Sequence, residues 1–393
     1  MLFRSSFCIY CSAQKYELFS PDGKLKTEIE INRGIFAELS KEGVPFVKLN
    51  NLSLEYDGTD QPGISKVRRT YRRSVNEVIK PEIREKSSEL LNTYNELEIR
   101  FRADYGIIFR LFNEGLAYRF TTFSKDSLLI DNEKLEILLA DNDSARFQSS
   151  ESFSSPYETP YEHKKLNDIE QGQLCNLPFL VEKPDGKFLM ITEADLYNYP
   201  GLWLKGTGRQ QLNSTNPPYP KTFTSSGNTY GLGQVAEANE FIAKVKGTRT
   251  YPWRIFAVAE TEADLVSNNM VYLLASPCEI NDPSWINPGV VMFDWWAKYN
   301  IYGVDFRSGI NTETAKYFID FCAEHGFRYF LFDDGWCARD NLLQPIPGLN
   351  MEEVTAYASS KGVDIMLWMI WRTLERQWTE AFSLFEQIGR AHV

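Results

Sequence analysis

No stretch of this 393-residue chain is long and apolar enough to cross a membrane as a helix. Nor is there a basic stripe. Forty-two Lys and Arg against fifty-three Asp and Glu leave a net charge of −11, which argues against a nucleic-acid partner. The one basic cluster runs from Lys66 to Arg73 and includes Arg68, Arg69 and Arg72. It interrupts a polar segment and reads as a solvated face or loop. Cysteines number six, at positions 8, 11, 175, 278, 322 and 337, too scattered for a zinc site and too few for a disulfide scaffold. Cys8 and Cys11 have redox-motif spacing, but no strand-to-helix unit follows them. Gly231-Leu232-Gly233 lacks a third glycine and a following helix, so a dinucleotide turn is absent too.

Aromatic residues, by contrast, are abundant at 14%, with nine Trp and twenty Tyr. Flat apolar faces suit the stacking of a sugar ring, and they equally suit the core of a β-sandwich. The length is that of two or three domains. From Gln14 to about Ile280 the text is strand-like, with short β-rich or alternating runs bounded by Gly, Pro, Asn and Asp. Within Leu97 to Phe120 two strands meet around Asp104-Tyr105-Gly106, and a third follows the turn at Asn113-Glu114-Gly115. The rhythm recurs at Asn176 to Val181, Lys187 to Thr192 and Arg254 to Ala259. A large antiparallel β-sandwich is expected over 14–280, with 206–233 as a long loop or edge excursion.

After about Asn281 the period changes. Val290 to Phe293 is a short apolar strand ending in Asp294-Trp295-Trp296. Thr312 to His325 is a helix with Gly326 as its stop. The run FRYFLFDDGW, Phe327 to Trp336, is a buried strand that breaks at two carboxylates, a glycine and a tryptophan. A second helix, Asn350 to Lys361, opens with Glu352 and Glu353 in its first turn and closes at Gly362. Val363 to Trp371 is a third strand and Gln377 to Gln387 a third helix. Three successive βα units mean a doubly wound sheet or the start of a (β/α)8 TIM barrel. Each strand ends in carboxylate, indole or arginine, and no Gly-rich phosphate turn is present, so an incomplete barrel over 281–387 is the expectation. Functional residues of barrels sit at those strand ends, so Asp333, Asp334 and Trp336 look like part of a site, with a plain acidic turn at Asp334-Gly335 as the alternative.

Both termini carry signals unrelated to the fold. MLFRSSFCIYCSA, residues 1–13, has one early Arg, a short apolar patch and the small-x-small ending Cys11-Ser12-Ala13. It reads as a stunted export signal cut after Ala13, which places the protein in the periplasm or outside the cell. The last six residues, IGRAHV, are what ATC GGA AGA GCA CAC GTC encodes, a common sequencing-adapter sequence in frame. Ile388 to Val393 are therefore expected to be foreign to the gene.

A sandwich leading into a barrel with FDWW, then NIYGVDFRSGINTETAKYFIDFCAEHGFRYFLFDDGW, together with PWRIFAVAE at 252–260 and ITEADLYNYPG at 191–201, resembles glycoside hydrolase family 97. The resemblance implies a bacterial α-glucosidase or α-galactosidase with one active-site Ca²⁺ held by carboxylates. It implies Glu193 as the ligand from the sandwich, since hard oxygens suit Ca²⁺. Inverting members carry a catalytic glutamate at the end of the third strand. Here Ile370 occupies that place in Trp368-Met369-Ile370, and an aliphatic side chain cannot activate water. The chain thus resembles the retaining branch, whose nucleophile and acid/base are expected beyond Gln387, and α-galactosidase is favoured over α-glucosidase.

What the resemblance leaves within the chain is substrate-side. Asp333 and Asp334 are expected to hydrogen-bond sugar hydroxyls through short charge-assisted bonds. Trp296, Trp336 and Trp371 are expected to stack on the ring or wall the pocket, and Asp294 and Arg372 to hold carboxylates or hydroxyls in place. A structural role at the barrel rim is the equal alternative for each. Asp305 and Asn311 shape the loop before the first helix, and His163 reads as a satisfied loop histidine. The partner is an oligo- or polysaccharide. A carbohydrate-binding protein without catalysis is the competing class, and the chain as written is expected to be inactive and poorly soluble, because a barrel of three strands leaves open edges.

Overall fold

The computed structural model describes residues 13–58, 66–224, 234–388 and 391–392. The expected export signal falls outside them except for Ala13, as does Gly231-Leu232-Gly233. The described chain forms two compact units that divide between Ile280 and Asn281, with the described ends of the 223–234 stretch grouped with the second.

The first unit is built from two antiparallel sheets of ten strands each. Alternation explains why they face each other. In Leu25–Ile31 the residues Leu25, Thr27, Ile29 and Ile31 are buried, while Lys26, Glu28 and Glu30 point away, which is the period of a half-covered strand. Leu49, Leu54, Ile130 and Ile137 of one sheet share a core with Leu97, Ile107, Phe109, Leu189 and Phe256 of the other. Three strands matter below: β1 (Leu128–Leu138) in the first sheet, and β2 (Phe188–Ala194) with β3 (Trp253–Ala259) in the second. Strand β3 is buried on both faces, because Met270 and Leu274 of a following short helix pack with Trp253, Ile255 and Ala257 on its outer side.

The basic cluster lies on the exposed edge strand Val67–Ile79, where long cationic side chains keep their heads in water. The segment expected as a loop over 206–233 contains strands, among them Pro220–Phe223, which pairs with Val235–Ala238. Gln211–Thr215, within the proposed loop 206–233, is a strand paired to β1 and to Trp203–Gly206. Its composition is polar because Leu212 alone is buried there, and pairing on both sides satisfies its backbone regardless of side chains.

The second unit is a parallel sheet covered by helices. Strands β4 (Val291–Phe293), β5 (Tyr329–Phe332) and β6 (Asp364–Leu367) are adjacent in chain order. Helix α1 (Thr312–His325) starts where the Asn311 side chain accepts from the Thr314 amide at 2.9 Å, and Gly326 stops it at φ 71°. It buries Ala315, Phe318, Ile319 and Cys322 at helical spacing. Helix α2 (Met351–Ser360) repeats the device, with Asn350 accepting from the Glu353 amide at 3.1 Å.

Two departures concern the site. The third strand is shorter than Val363 to Trp371. Trp368 donates one further backbone bond to Phe332, and then Trp371 opens a short helix, α3 (Trp371–Arg376), before α4 (Trp378–Ile388). Between β5 and α2 a small hairpin, Cys337–Ala338 with Asn341–Pro345, also appears. It is tied down by the Leu342 amide donating to Gln377 at 2.8 Å and the Thr373 hydroxyl donating to the Arg339 carbonyl at 2.6 Å. A further short strand, Ala391–His392, lies beside β6.

Candidate active site

Parallel register sets the first cluster. Phe293 of β4 pairs with Leu331 of β5, so Asp294 and Asp333 follow the C-terminal ends of neighbouring strands. The Asp333 amide donates to Asp294 Oδ1 at 3.4 Å. Asp294 is only 2% exposed. Burial, reinforced by the Asp333 charge, pushes its carboxyl up to about 6, against the lowering effect of the backbone amides of Asp333 and Trp295. Tyr299 faces the same group: burial first, then Asp294, Asp333 and Asp334, push its phenol up to about 12. Nothing in the sequence singled Tyr299 out, since it follows a one-turn helix and a left-handed Lys298.

Asp334 turns the other way. Its Oδ2 receives both Nη2 of Arg339 at 2.6 Å and Nε at 3.1 Å, so the two adjacent aspartates do not form one acid pair. Gly335 makes the divergence possible. Its φ is +110°, and a Cβ there would lie 2.7 Å from Ile310 Cδ1.

The tryptophans separate by burial. Trp336 is 2% exposed; its indole N–H donates to the Trp368 carbonyl at 2.7 Å, and its ring packs near Phe385. As folded here it is a core residue rather than a free stacking face, with its one polar atom satisfied by the Trp368 carbonyl. Trp296 is 75% exposed, edge-on to Trp295 and Phe293. Trp371 is exposed at the start of α3, and the Arg372 guanidinium lies 5.8 Å from its ring and 5.7 Å from that of Phe223. Asp305 lies in the irregular segment before α1, which Asn311 caps.

Glu193 belongs to the other unit. It lies on β2 directly opposite Arg254 of β3, and its carboxylate pairs with that guanidinium while accepting from the Leu202 amide at 3.1 Å. Arg254 forks in turn onto Glu133 of β1, with Nε and Nη2 both at 2.7 Å. Burial raises the Glu193 carboxyl despite Arg254, and although burial alone would depress the Arg254 guanidinium, Glu133 carries it above its ordinary value. Burial, then the Glu193 charge, pushes up the phenol of Tyr157, which is held at φ 59° and packs against Trp203. Arg254, Glu133 and Tyr157 went unnoticed in the sequence; the Arg of PWRIFAVAE, a charge directly ahead of the apolar run Ile255 to Ala259, is the signal that could have found the first.

As a calcium ligand Glu193 offers the right donor, a hard oxygen at a side chain 16% exposed. Gly201 leaves room beside it, since a Cβ there would stand 3.2 Å from Oε1. A full shell takes about six to eight oxygens. No group of three or more His, Cys, Asp or Glu suited to a metal occurs among the described residues; Glu193 supplies a single carboxylate. His163 lies on strand Glu162–Lys165, 3.5 Å from Glu182.

Residues 18–277 match the family model for the glycosyl-hydrolase 97 N-terminal domain, and residues 295–393 match that for glycoside hydrolase 97. The chain belongs to glycoside hydrolase family 97. This family 97 chain is 35% identical to a "Retaining alpha-galactosidase" of Bacteroides thetaiotaomicron over 97% of its own length and 60% of that protein's. A "Probable retaining alpha-galactosidase" of Streptomyces bingchenggensis is 27% identical over 33% of the chain and 20% of the relative. Among solved structures, a family 97 enzyme from Pseudoalteromonas sp. strain K8 in complex with acarbose superposes with a TM-score of 0.77 at 21% identity, over 95% of this chain and 57% of that one. The chain therefore spans 60% or less of the length of these relatives, and the structural likeness speaks for the fold.

Proposed function

We propose that the protein carrying this chain is a calcium-dependent, exo-acting α-glycosidase that removes terminal α-galactosyl groups from oligo- or polysaccharides with retention of configuration. The observation that carries this is the 35% identity, over nearly the whole chain, to a retaining α-galactosidase. The end of β6 supports the retaining branch: Ile370 is buried and aliphatic where an inverting enzyme needs a base. Retention instead uses two carboxyls about 5 Å apart, one attacking the anomeric carbon and one protonating the leaving oxygen. We place both C-terminal to Gln387. The consecutive parallel order β4, β5, β6 fits the first units of a (β/α)8 barrel, and the N-terminal 13 residues fit export to the periplasm or beyond.

In this reading Asp294 and Asp333, with Tyr299, bind sugar hydroxyls, and exposed Trp296 and Trp371 supply apolar faces. Arg372 braces Trp371, and Asp334 fixes the hairpin through Arg339. Trp336 holds the strand end in place from below. Glu193 contributes one oxygen to calcium, which when bound supplies positive charge for positioning and polarising groups around the glycosidic bond.

The test is hydrolysis of 4-nitrophenyl α-galactoside and α-glucoside by the full-length protein, with the product anomer followed by NMR. Faster cleavage of the galactoside with retention, lost on EDTA treatment and in Glu193→Ala, is the expected result. Preference for the glucoside would reassign the substrate to the α-glucosidase alternative. Binding of galactosides without cleavage would make the protein a carbohydrate binder, and activity indifferent to EDTA would remove calcium from the account.

A further inference from the structure

Arg254 is 1% exposed and Glu133 3%, and they join opposite sheets through a buried bidentate bond. Such a pair is a poor source of stability, because well-packed apolar side chains of similar volume do as well or better. Its geometry suggests another use. With Nε and Nη2 committed to Glu133, the guanidinium plane is fixed, and Nη1 is left pointing at the Glu193 carboxylate. A planar fork held at one edge fixes direction at the other, which a lysine cannot do.

The chain around Glu193 is held with equal care. Asp195 and Asn198 sit at φ 63° and 46°. Arg249 donates to the carbonyls of Tyr197 at 2.8 Å and Asn198 at 3.3 Å, Asn216 donates to the Gly201 carbonyl at 2.9 Å, and Arg119 lies 3.3 Å from Asp195. These bonds keep the Leu202 amide on the Glu193 oxygens and Gly201 beside Oε1. Partners behind a metal ligand set its direction and are worth roughly ten- to a hundredfold in metal affinity.

We propose that Arg254 is a positioning residue: locked by Glu133 across the sandwich, it aims the Glu193 carboxylate at the calcium ion. The inference rests on the reading of Glu193 as a ligand. Glu133 has a second effect, since its charge offsets that of Arg254 and keeps a bare cation from facing the metal through Glu193.

The experiment is calorimetric titration of the calcium-stripped full-length protein with Ca²⁺, using variants whose near-ultraviolet circular dichroism matches wild type. Glu133→Gln keeps shape and an acceptor but removes the charge; Arg254→Lys keeps charge but removes the fork, so either suffices if the other fails to fold. Each is expected to raise the Kd for calcium about tenfold, and kcat in Glu133→Gln is expected to return to wild type when calcium is raised to saturation, which a merely structural lesion would not allow. If Glu193→Gln abolishes calcium binding but Glu133→Gln and Arg254→Lys bind as wild type, the positioning role is overturned while the ligand reading stands. If Glu193→Gln itself binds calcium normally, the ligand reading falls, and the inference with it.

Discussion

The Asp333 amide donates to Oδ1 of Asp294 at 3.4 Å, so the aspartates that follow the first two parallel strands are neighbours, and the inner one has lost its water. A buried carboxyl near another charge prefers its proton, and here that preference brings the group to about 6. Because the folded value exceeds the unfolded one of about 3.9, the contribution to stability is fully present below that pH and is lost as pH rises through about 6.

At neutral pH, therefore, an ionised Asp294 costs the fold. Asp294→Asn is expected to stabilise the protein by about 2 kcal/mol at pH 7.5 and to change it little near pH 4, as read from urea midpoints at the two values. A variant whose gain is the same at both pH values would contradict the buried-acid account.

Trp336 and Trp296 should respond in opposite ways. Trp336→Ala removes a core indole and leaves the Trp368 carbonyl without its donor, and a loss of about 3–5 kcal/mol is expected in chemical denaturation. Trp296→Ala removes a ring largely in water, so stability should move by no more than about 0.5 kcal/mol while KM for the galactoside rises. A stable Trp336→Ala protein with raised KM would instead return Trp336 to the substrate.

Removing Arg254 leaves Glu133 and Glu193 facing each other's charge without a cation. Arg254→Met is expected to lose about 3–5 kcal/mol, and the double change with Glu133→Leu to recover part of it, because a buried pair is costly to break and cheap to replace whole. Guanidinium unfolding of the two variants checks this; a double variant no more stable than the single would contradict it.

Much of the second unit was legible locally. Asn311 and Asn350 cap their helices, Gly326 and Gly362 adopt the left-handed conformation that ends or follows them, and apolar runs mark β4, β5 and β6, since caps and periodicity are decided within a turn or two of chain. The third strand was read too long because Met369, Ile370 and Trp371 are apolar, and hydrophobicity alone does not distinguish a strand end from the start of a helix. The hairpin at 337–345 and the strand Gln211–Thr215 were missed because their pairing partners, rather than their own composition, make them strands.

By itself the sequence determined the antiparallel first unit, the strand–helix alternation after Asn281 and the family, since each is written in local pattern or contiguous motif. Folding decided what those residues face. Only the tertiary structure separates Asp333, beside Asp294, from Asp334, held by Arg339, and only it withdraws Trp336 into the core. It also brings Glu133 to Arg254 across 121 positions. Burial and direction depend on partners distant in the chain, and those quantities set the charge of Asp294 and the aim of Glu193.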